Sequence, residues 1–130
     1  MVASISDNAD MVTYEVMADV DIERLTTTTN RADNWLSRHT MAWTETQALL
    51  RKRDPPILEA DLDSTDPLIV ACCHYVAYMA LKWAPSGQGD LDRAQWEYNQ
   101  WIRSVEDAYL TVSGTERDRG IRGFQKAYRG

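Results

Sequence analysis

The apolar run over residues 68–84, LIVACCHYVAYMALKWA, constrains the fold of this chain more than any other feature. It follows Asp66-Pro67, a pair typical of a helix start, because the carboxylate can cap free backbone N–H groups and Pro suits the first helical turn. A helix that is apolar on nearly every side belongs in the centre of a core or in a membrane. The run is short for a bilayer, and His74 and Lys82 interrupt it, so the sequence predicts a buried core helix and no membrane span.

Two other segments have apolar residues at alternating spacings of three and four, which marks one face of a helix. In residues 21–52 the run Thr26–Thr29 leaves two possibilities open, one long helix or two collinear pieces, because β-branched residues disfavour helix. In residues 90–112 the helix is expected to end at Ser113-Gly114, since glycine suits the position after a helix. The predicted buried stripe of the first segment consists of Ile22, Leu25, Thr29, Ala32, Leu36, His39, Trp43, Thr46 and Leu50.

The sequence therefore predicts an all-α fold, a small helical bundle with a long first helix, a central buried helix and a third amphipathic helix. We expect an extended N-terminal arm and a C-terminal tail in addition. A chain of 130 residues predicts one domain. Its helical body is expected to span residues 1–115, with residues 1–20 as a flexible arm, and to be followed by a basic tail over residues 116–130. The first residues contain no basic region followed by an apolar run, so no secretory signal is expected.

Charge is distributed unevenly along the chain, whose formal net charge is −6. Residues 1–115 carry 9 basic and 18 acidic side chains, whereas residues 116–130 carry 5 basic and 2 acidic ones. An acidic body argues against a nucleic-acid-binding module, which needs clustered Lys and Arg to neutralise phosphates. The basic tail is either a solvated terminus or a segment that docks on a partner.

The tail alternates basic side chains with apolar and aromatic ones and contains several glycines. A segment of this kind is too short to fold alone, but it can become ordered in a groove of a partner, where Arg and aromatic side chains act as anchors. The docking residues that we predict are Arg117, Arg119, Ile121, Arg122, Phe124, Lys126, Tyr128 and Arg129.

No motif of the sequence indicates catalysis, because a glycine-rich phosphate loop, GxSxG, HExxH and an EF-hand loop are all absent. We therefore expect no enzymatic activity, no cofactor and no metal site. His39 falls on the apolar stripe and is expected to be a hydrogen-bonded core or rim histidine. His74 is adjacent to Cys73 in sequence, which does not make the two side chains face each other as a nucleophile pair must.

The two cysteines and the acidic connector are also expected to be structural. Cys72 and Cys73 would point about 100° apart on a helix, which is poor geometry for a disulfide, so we expect buried thiols. The connector before the central helix has no recognised ligand spacing, so its carboxylates are expected to be solvated. These carboxylates belong to Glu59, Asp61, Asp63 and Asp66.

One face of the third helix is unusual. On a helical wheel Trp96 points roughly 170° away from the centre of the buried stripe, and Arg103 and Leu110 point in nearly the same direction. This stripe is a candidate contact between subunits, because Trp and Arg are common anchors of interfaces. The alternative is that the connector or the N-terminal arm covers Trp96 within the monomer.

The order of these elements resembles a known family. A loose arm, a helix and a Pro-containing connector precede the apolar helix LIVACCHYVAYMALKWA. A Gly/Pro/Ser turn, the amphipathic helix AQWEYNQWIRSVEDAYL and a basic tail follow it. Over residues 20–130 this layout is similar to the small head-tail connector proteins of tailed bacteriophages, also called adaptor or head-completion proteins. The family has no diagnostic catalytic motif, and its longer inserted loops have no counterpart in the short connector here.

The resemblance implies a structural role in the virion neck. Such proteins are all-α and form a ring, usually of twelve copies, beneath the portal protein, after synthesis in the host cytoplasm. The ring extends the DNA channel without sequence-specific binding and provides the platform for a tail-side neck or tail-terminator protein. Carried onto this chain, the tail from Arg117 to Arg129 would dock on the portal, and the face with Trp96, Arg103 and Leu110 would contact the neighbouring copy. Two alternatives stay open: a tail-side neck or tail-completion protein, and a helical protein-binding module unrelated to virions.

Overall fold

The structure, a computed structural model, is all-α over the residues that it describes. It describes the backbone of residues 3–29, 34–62, 64–83 and 87–120. Within these ranges it describes the side chains of residues up to 109, except those at positions 27–29, 34 and 60. The α-helices in these ranges are α1 (Asn8–Thr13), α2 (Asp19–Thr29), α3 (Asn34–Arg51), α4 (Asp66–Trp83) and α5 (Gln88–Gly120). A short 3₁₀ turn, Glu59–Asp61, lies in the connector between α3 and α4.

The predicted core helix is confirmed as α4. It begins at Asp66 and ends at Trp83, and its buried residues lie on every side of the helix. The reason is that α5 packs along α4 while α3 and α1 also contact it. Within the described residues, no helix combines the length and the apolar character that a bilayer crossing requires.

The segment before the connector contains helices α2 and α3, and residues 30–33 between them lie outside the described residues. Residues 26–29 are helical and end α2, while α3 begins at Asn34. The hydroxyl of Thr26 donates to the carbonyl of Ile22 at 2.7 Å, one turn back, and accepts from Nε1 of Trp35 at 2.5 Å. These bonds explain how a Thr-rich end can remain helical, because the hydroxyl is satisfied within its own helix and links α2 to α3.

One predicted core position of the first segment is exposed rather than buried, and the side chains of Thr29 and Ala32 lie outside the described residues. Leu36, which we expected on the buried stripe, is 66% exposed. The prediction is wrong because Leu36 lies at the edge of the buried stripe within α3 itself, in the first turn of the helix. In α3 the buried face is centred on Trp35, Ala42 and Thr46, and Leu36 falls just outside it at 100° per residue.

Part of the N-terminal segment, which we expected to be a flexible arm over residues 1–20, forms a short helix. The side chain of Asp7 accepts from the backbone N–H of Asp10 at 2.9 Å, and the carboxylate of Asp10 accepts from the N–H of Asp7 at 3.0 Å. This reciprocal cap starts α1. Met11 and Met17 are then buried in the common core. The short helix is therefore stabilised by its cap and by the burial of two methionine side chains. The polar composition of the segment gave no indication of this helix.

The last helix is longer than we expected. It does not end at Ser113-Gly114 but continues to Gly120. A glycine inside a helix costs only about 1 kcal/mol, and Glu116, Arg117 and Arg119, which follow, have straight-chain side chains that favour helix. The helix therefore crosses the predicted boundary between body and tail at residues 115 and 116.

Candidate interaction surfaces

An aromatic seam fixes α5 against α4. The rings of Tyr75 and Trp101 have centroids 4.5 Å apart, and those of Tyr78 and Tyr98 are 4.9 Å apart. The indole N–H of Trp101 donates to the hydroxyl of Thr46 on α3 at 3.0 Å. Burial raises the pKa of Tyr75 to about 12. Tilted ring pairs and a buried hydrogen bond leave α5 little freedom to rotate, so the seam determines which of its residues face outward.

A buried polar cluster also holds this helix in place. The carboxylate of Glu97 is 1% exposed and accepts from Nδ1 of His74 at 2.6 Å and from Nε of Arg93 at 3.4 Å. Arg93 also donates to the backbone carbonyl of Val16 at 2.8 Å and to the carboxylate of Asp21 at 3.3 Å. A buried carboxylate requires such partners, and here they join α5 to α4, to α2 and to the turn that precedes α2.

Trp96 lies next to this cluster and points away from the core. Its side chain is 54% exposed, and its ring meets the imidazole of His74 edge-on with centroids 6.2 Å apart. Arg103 is exposed as well. The predicted outward direction of both residues is confirmed, while the predicted contact with a neighbouring subunit stays a prediction. We call these two residues the α5 face; the side chain of Leu110 lies outside the described residues.

A second exposed apolar area was not predicted. Leu36 and Met41 on α3 and Trp83 at the end of α4 are all exposed. Next to Met41 and Trp83, Arg38 is 2% exposed, with its guanidinium 4.7 Å from the centroid of the Trp35 ring. We call this area the α3–α4 patch. The signal in the sequence was Arg38 itself, an arginine three residues after Trp35 and four before Ala42 on the buried stripe.

His39 is confirmed as a hydrogen-bonded core histidine. Its Nδ1 lies 2.6 Å from Oγ of Ser6 and its Nε2 lies 2.9 Å from Oδ1 of Asn8. Burial lowers the pKa of His39 to about 4, an effect that Arg38 strengthens and the nearby charge of Asp7 opposes. The neutral ring can therefore accept from Ser6 and donate to Asn8, which fastens the N-terminal segment to α3.

The cysteines are buried and unpaired, as predicted. Burial raises the pKa of Cys72 to about 12, and it also raises the pKa of Cys73, so neither thiol is activated as a nucleophile. Among the described residues, no group of three or more His, Cys, Asp and Glu side chains is placed to hold a metal ion. Of the acidic residues in the connector, Asp63 lies outside the described residues. The carboxylate of Glu59 accepts from the side-chain amide of Gln47 at 3.2 Å, and the carboxylate of Asp61 accepts from the backbone N–H of Leu58 and so caps the 3₁₀ turn.

The structure describes little of the predicted docking tail. Arg117 and Arg119 lie on the backbone of α5, with side chains outside the described part. The other predicted docking residues lie outside the described residues altogether: Ile121, Arg122, Phe124, Lys126, Tyr128 and Arg129.

Comparison with known proteins identifies no relative: no family model, no curated protein and no solved structure matches the chain.

Proposed function

We propose that this chain is a structural head-tail adaptor of a tailed bacteriophage, one subunit of a ring beneath the portal that extends the DNA channel and receives the tail. The observation that carries the proposal is the α5 face, on which Trp96 and Arg103 stand exposed on a helix that is otherwise tightly fixed. Exposed Trp and Arg side chains on a rigid support are the usual anchors of protein interfaces. The partners are neighbouring copies, the portal protein and a tail-side neck or tail-terminator protein.

The charge of the chain is compatible with this role. The acidic excess of the body would repel the phosphates of DNA and prevent the duplex from adhering as it passes through the ring. Such a protein would act in the virion neck and would need neither catalysis nor a cofactor. The basic tail over residues 116–130 would supply the complementary contact, a docking segment on the portal.

Truncation of the tail tests the contact with the portal. We expect a chain ending at Gly120 and a chain ending at Ser113 to keep their helical circular dichroism signal and to lose attachment to purified rings of the portal protein encoded with this chain. The reason is that both lack the Arg and aromatic anchors after residue 120. A full-length variant with Arg122, Lys126 and Arg129 changed to Gln separates loss of charge from loss of length. Portal attachment by the shorter chain would remove the tail from the mechanism.

Replacement of Trp96 tests the contact between copies. Trp96→Ala should change the free energy of unfolding by less than about 1 kcal/mol, because a side chain half exposed to water contributes little to the core. The same substitution should weaken lateral association in neck particles examined by electron microscopy. Gln95→Ala, an exposed neighbour on α5, is the matched control. A large loss of stability would identify Trp96 as a core residue instead.

The symmetry of the assembly separates the proposal from its alternatives. A twelvefold ring bound to the portal is the expected result in electron micrographs. A sixfold ring on the tail side would identify a tail-completion protein, and binding only to a protein outside the virion would identify an unrelated helical module.

A further inference from the structure

Arg38 is a buried cation without a hydrogen-bonding partner on two of its nitrogens. Its Nε and Nη1 atoms are inaccessible to water and make no hydrogen bond to any described residue. Burial lowers the pKa of this guanidinium, because removing a charged group from water without a neighbouring anion disfavours its charged form. The Trp35 ring beside it offers only a weak cation–π contact. A buried arginine of this kind needs a carboxylate or another anion to complete its environment.

The surroundings of Arg38 form a small cavity with an apolar rim. The cavity has a volume of about 80 Å³ and is lined by Ser37, Arg38, Met41, Met79 and Trp83. Met41 and Trp83 are themselves exposed at its edge, and Leu36 is exposed on the same helix. This combination of an unpartnered cation within an apolar rim favours an occupant that carries both an acidic and an aromatic or aliphatic side chain.

The side of α5 that carries Trp96 also carries an acidic side chain, that of Asp92. Asp92 is exposed one helical turn before Trp96, so the two side chains lie on the same side of α5. The only hydrogen bond described for its carboxylate comes from the exposed amide of Gln88, at 3.0 Å, which brings no positive charge. An acidic side chain beside an exposed indole complements a buried arginine inside an apolar rim.

The two surfaces also point in different directions. Helix α4 packs against both α3 and α5, which contact each other much less. Leu36 and Met41 lie on the side of α3 that faces away from the core, and Trp96 lies on the side of α5 that faces away from it. One molecule can therefore use both surfaces at the same time, each with a different neighbour.

We infer that the α3–α4 patch of one copy binds the α5 face of the next copy, with Trp96 against Met41 and Trp83 and with the carboxylate of Asp92 at Arg38. Two unlike surfaces on one chain make a head-to-tail contact, which generates a closed ring when the rotation between copies closes. The inference deepens the proposed ring, and it rests on the proposed function in that both require contact between copies.

Mixing two surface variants tests the head-to-tail contact without the portal. Met41→Glu inactivates the α3–α4 patch at an exposed position, and Trp96→Ala inactivates the α5 face. The unaltered full-length chain is expected to form concentration-dependent oligomers in analytical ultracentrifugation. Each variant alone should be monomeric, whereas an equimolar mixture should give a 1:1 dimer and nothing larger, because each variant retains one intact surface. Monomers in the mixture, or self-association of either variant, would overturn the inference, as would an unaltered chain that stays monomeric at millimolar concentration.

The proposed ion pair is tested separately. Arg38→Met, an apolar replacement of similar length, and Asp92→Asn should each weaken the dimer of the mixed variants by about tenfold or more, when introduced into the copy that supplies the corresponding surface. Arg51→Met, at an exposed position on α3, is the control for loss of a positive charge. If Arg38→Met disturbs folding, Asp92→Asn examines the same pair from an exposed position. An unchanged dimer with Asp92→Asn would exclude the pair, and tail-dependent attachment to the portal would be unaffected by that outcome.

Discussion

Replacing His74 with Ala is expected to lower the free energy of unfolding by about 2–3 kcal/mol, because it leaves the buried carboxylate of Glu97 without one of its hydrogen-bond donors. Glu97 stays behind, almost completely buried. Its Oε1 atom loses the partner at 2.6 Å, and its Oε2 atom keeps only the longer contact of 3.4 Å to Arg93. A carboxylate in that position must either remain charged with poor compensation or take up a proton, and both outcomes destabilise the folded chain.

Chemical denaturation of three further variants identifies the source of this loss. Glu97→Leu combined with His74→Ala should recover part of the stability, because an apolar pair leaves no buried charge. Trp96→Ala removes the ring that touches His74 and should have a much smaller effect, which excludes that ring contact as the cause. Glu97→Leu alone completes the double-mutant cycle. A loss below about 1 kcal/mol for His74→Ala would show that the pair contributes little.

The cluster around Glu97 also bears on the proposed function. It joins α5 to α4 and α2 directly beside Trp96. Trp96, the proposed contact residue, therefore stands on a part of the helix that cannot rotate without breaking buried hydrogen bonds. A surface that is fixed before binding loses less conformational entropy when a partner associates.

The central helix could be predicted almost to the residue, because its start signal and its apolar composition agree. The pair Asp66-Pro67 indicates the start, and α4 begins at Asp66. A run of this length that is apolar on nearly every side is typical of a core helix. The α5 face could be predicted for a similar reason, since Trp96 falls opposite a stripe with regular spacing. Both features depend on the periodicity of a single helix.

Features that depend on contacts between elements could not be predicted in the same way. Glu97 falls on the buried stripe between Ala94 and Trp101, but its partner His74 is 23 residues earlier on another helix. The pair meets only in the packed α4–α5 arrangement. The α3–α4 patch was missed because Leu36 was assigned to the buried stripe, although it lies at the edge of that stripe in α3. The N-terminal segment was missed because a six-residue helix is too short for a periodic signal.

Acidification from pH 7 to pH 4 is expected to remove about 2–3 kcal/mol of stability through His39 alone. The pKa of His39 is lowered to about 4 in the folded chain by burial, whereas a histidine in an unfolded chain has a pKa of about 6.5. Between these two pH values the imidazole of His39 binds a proton in the unfolded chain but not in the folded chain. The contribution is therefore complete above about pH 6.5, falls as the pH decreases, and is lost near pH 4.

The charged groups around His39 shift its pKa in opposite directions. The measurement must therefore follow the protonation of His39 itself. Arg38 beside it lowers the pKa further and Asp7 raises it, but desolvation is the largest cause. We expect the imidazole resonances of His39 to titrate near pH 4 in NMR spectra of the folded chain. His39→Gln cannot titrate, so the difference between its denaturation curves and those of the unaltered chain should have a slope only between about pH 4 and 6.5. Because the two chains differ only at this position, the difference reports His39 itself. If His39 titrated near 6.5 while the chain remained folded, the ring would be accessible to water, and the attachment of Ser6 and Asn8 to α3 would not depend on it.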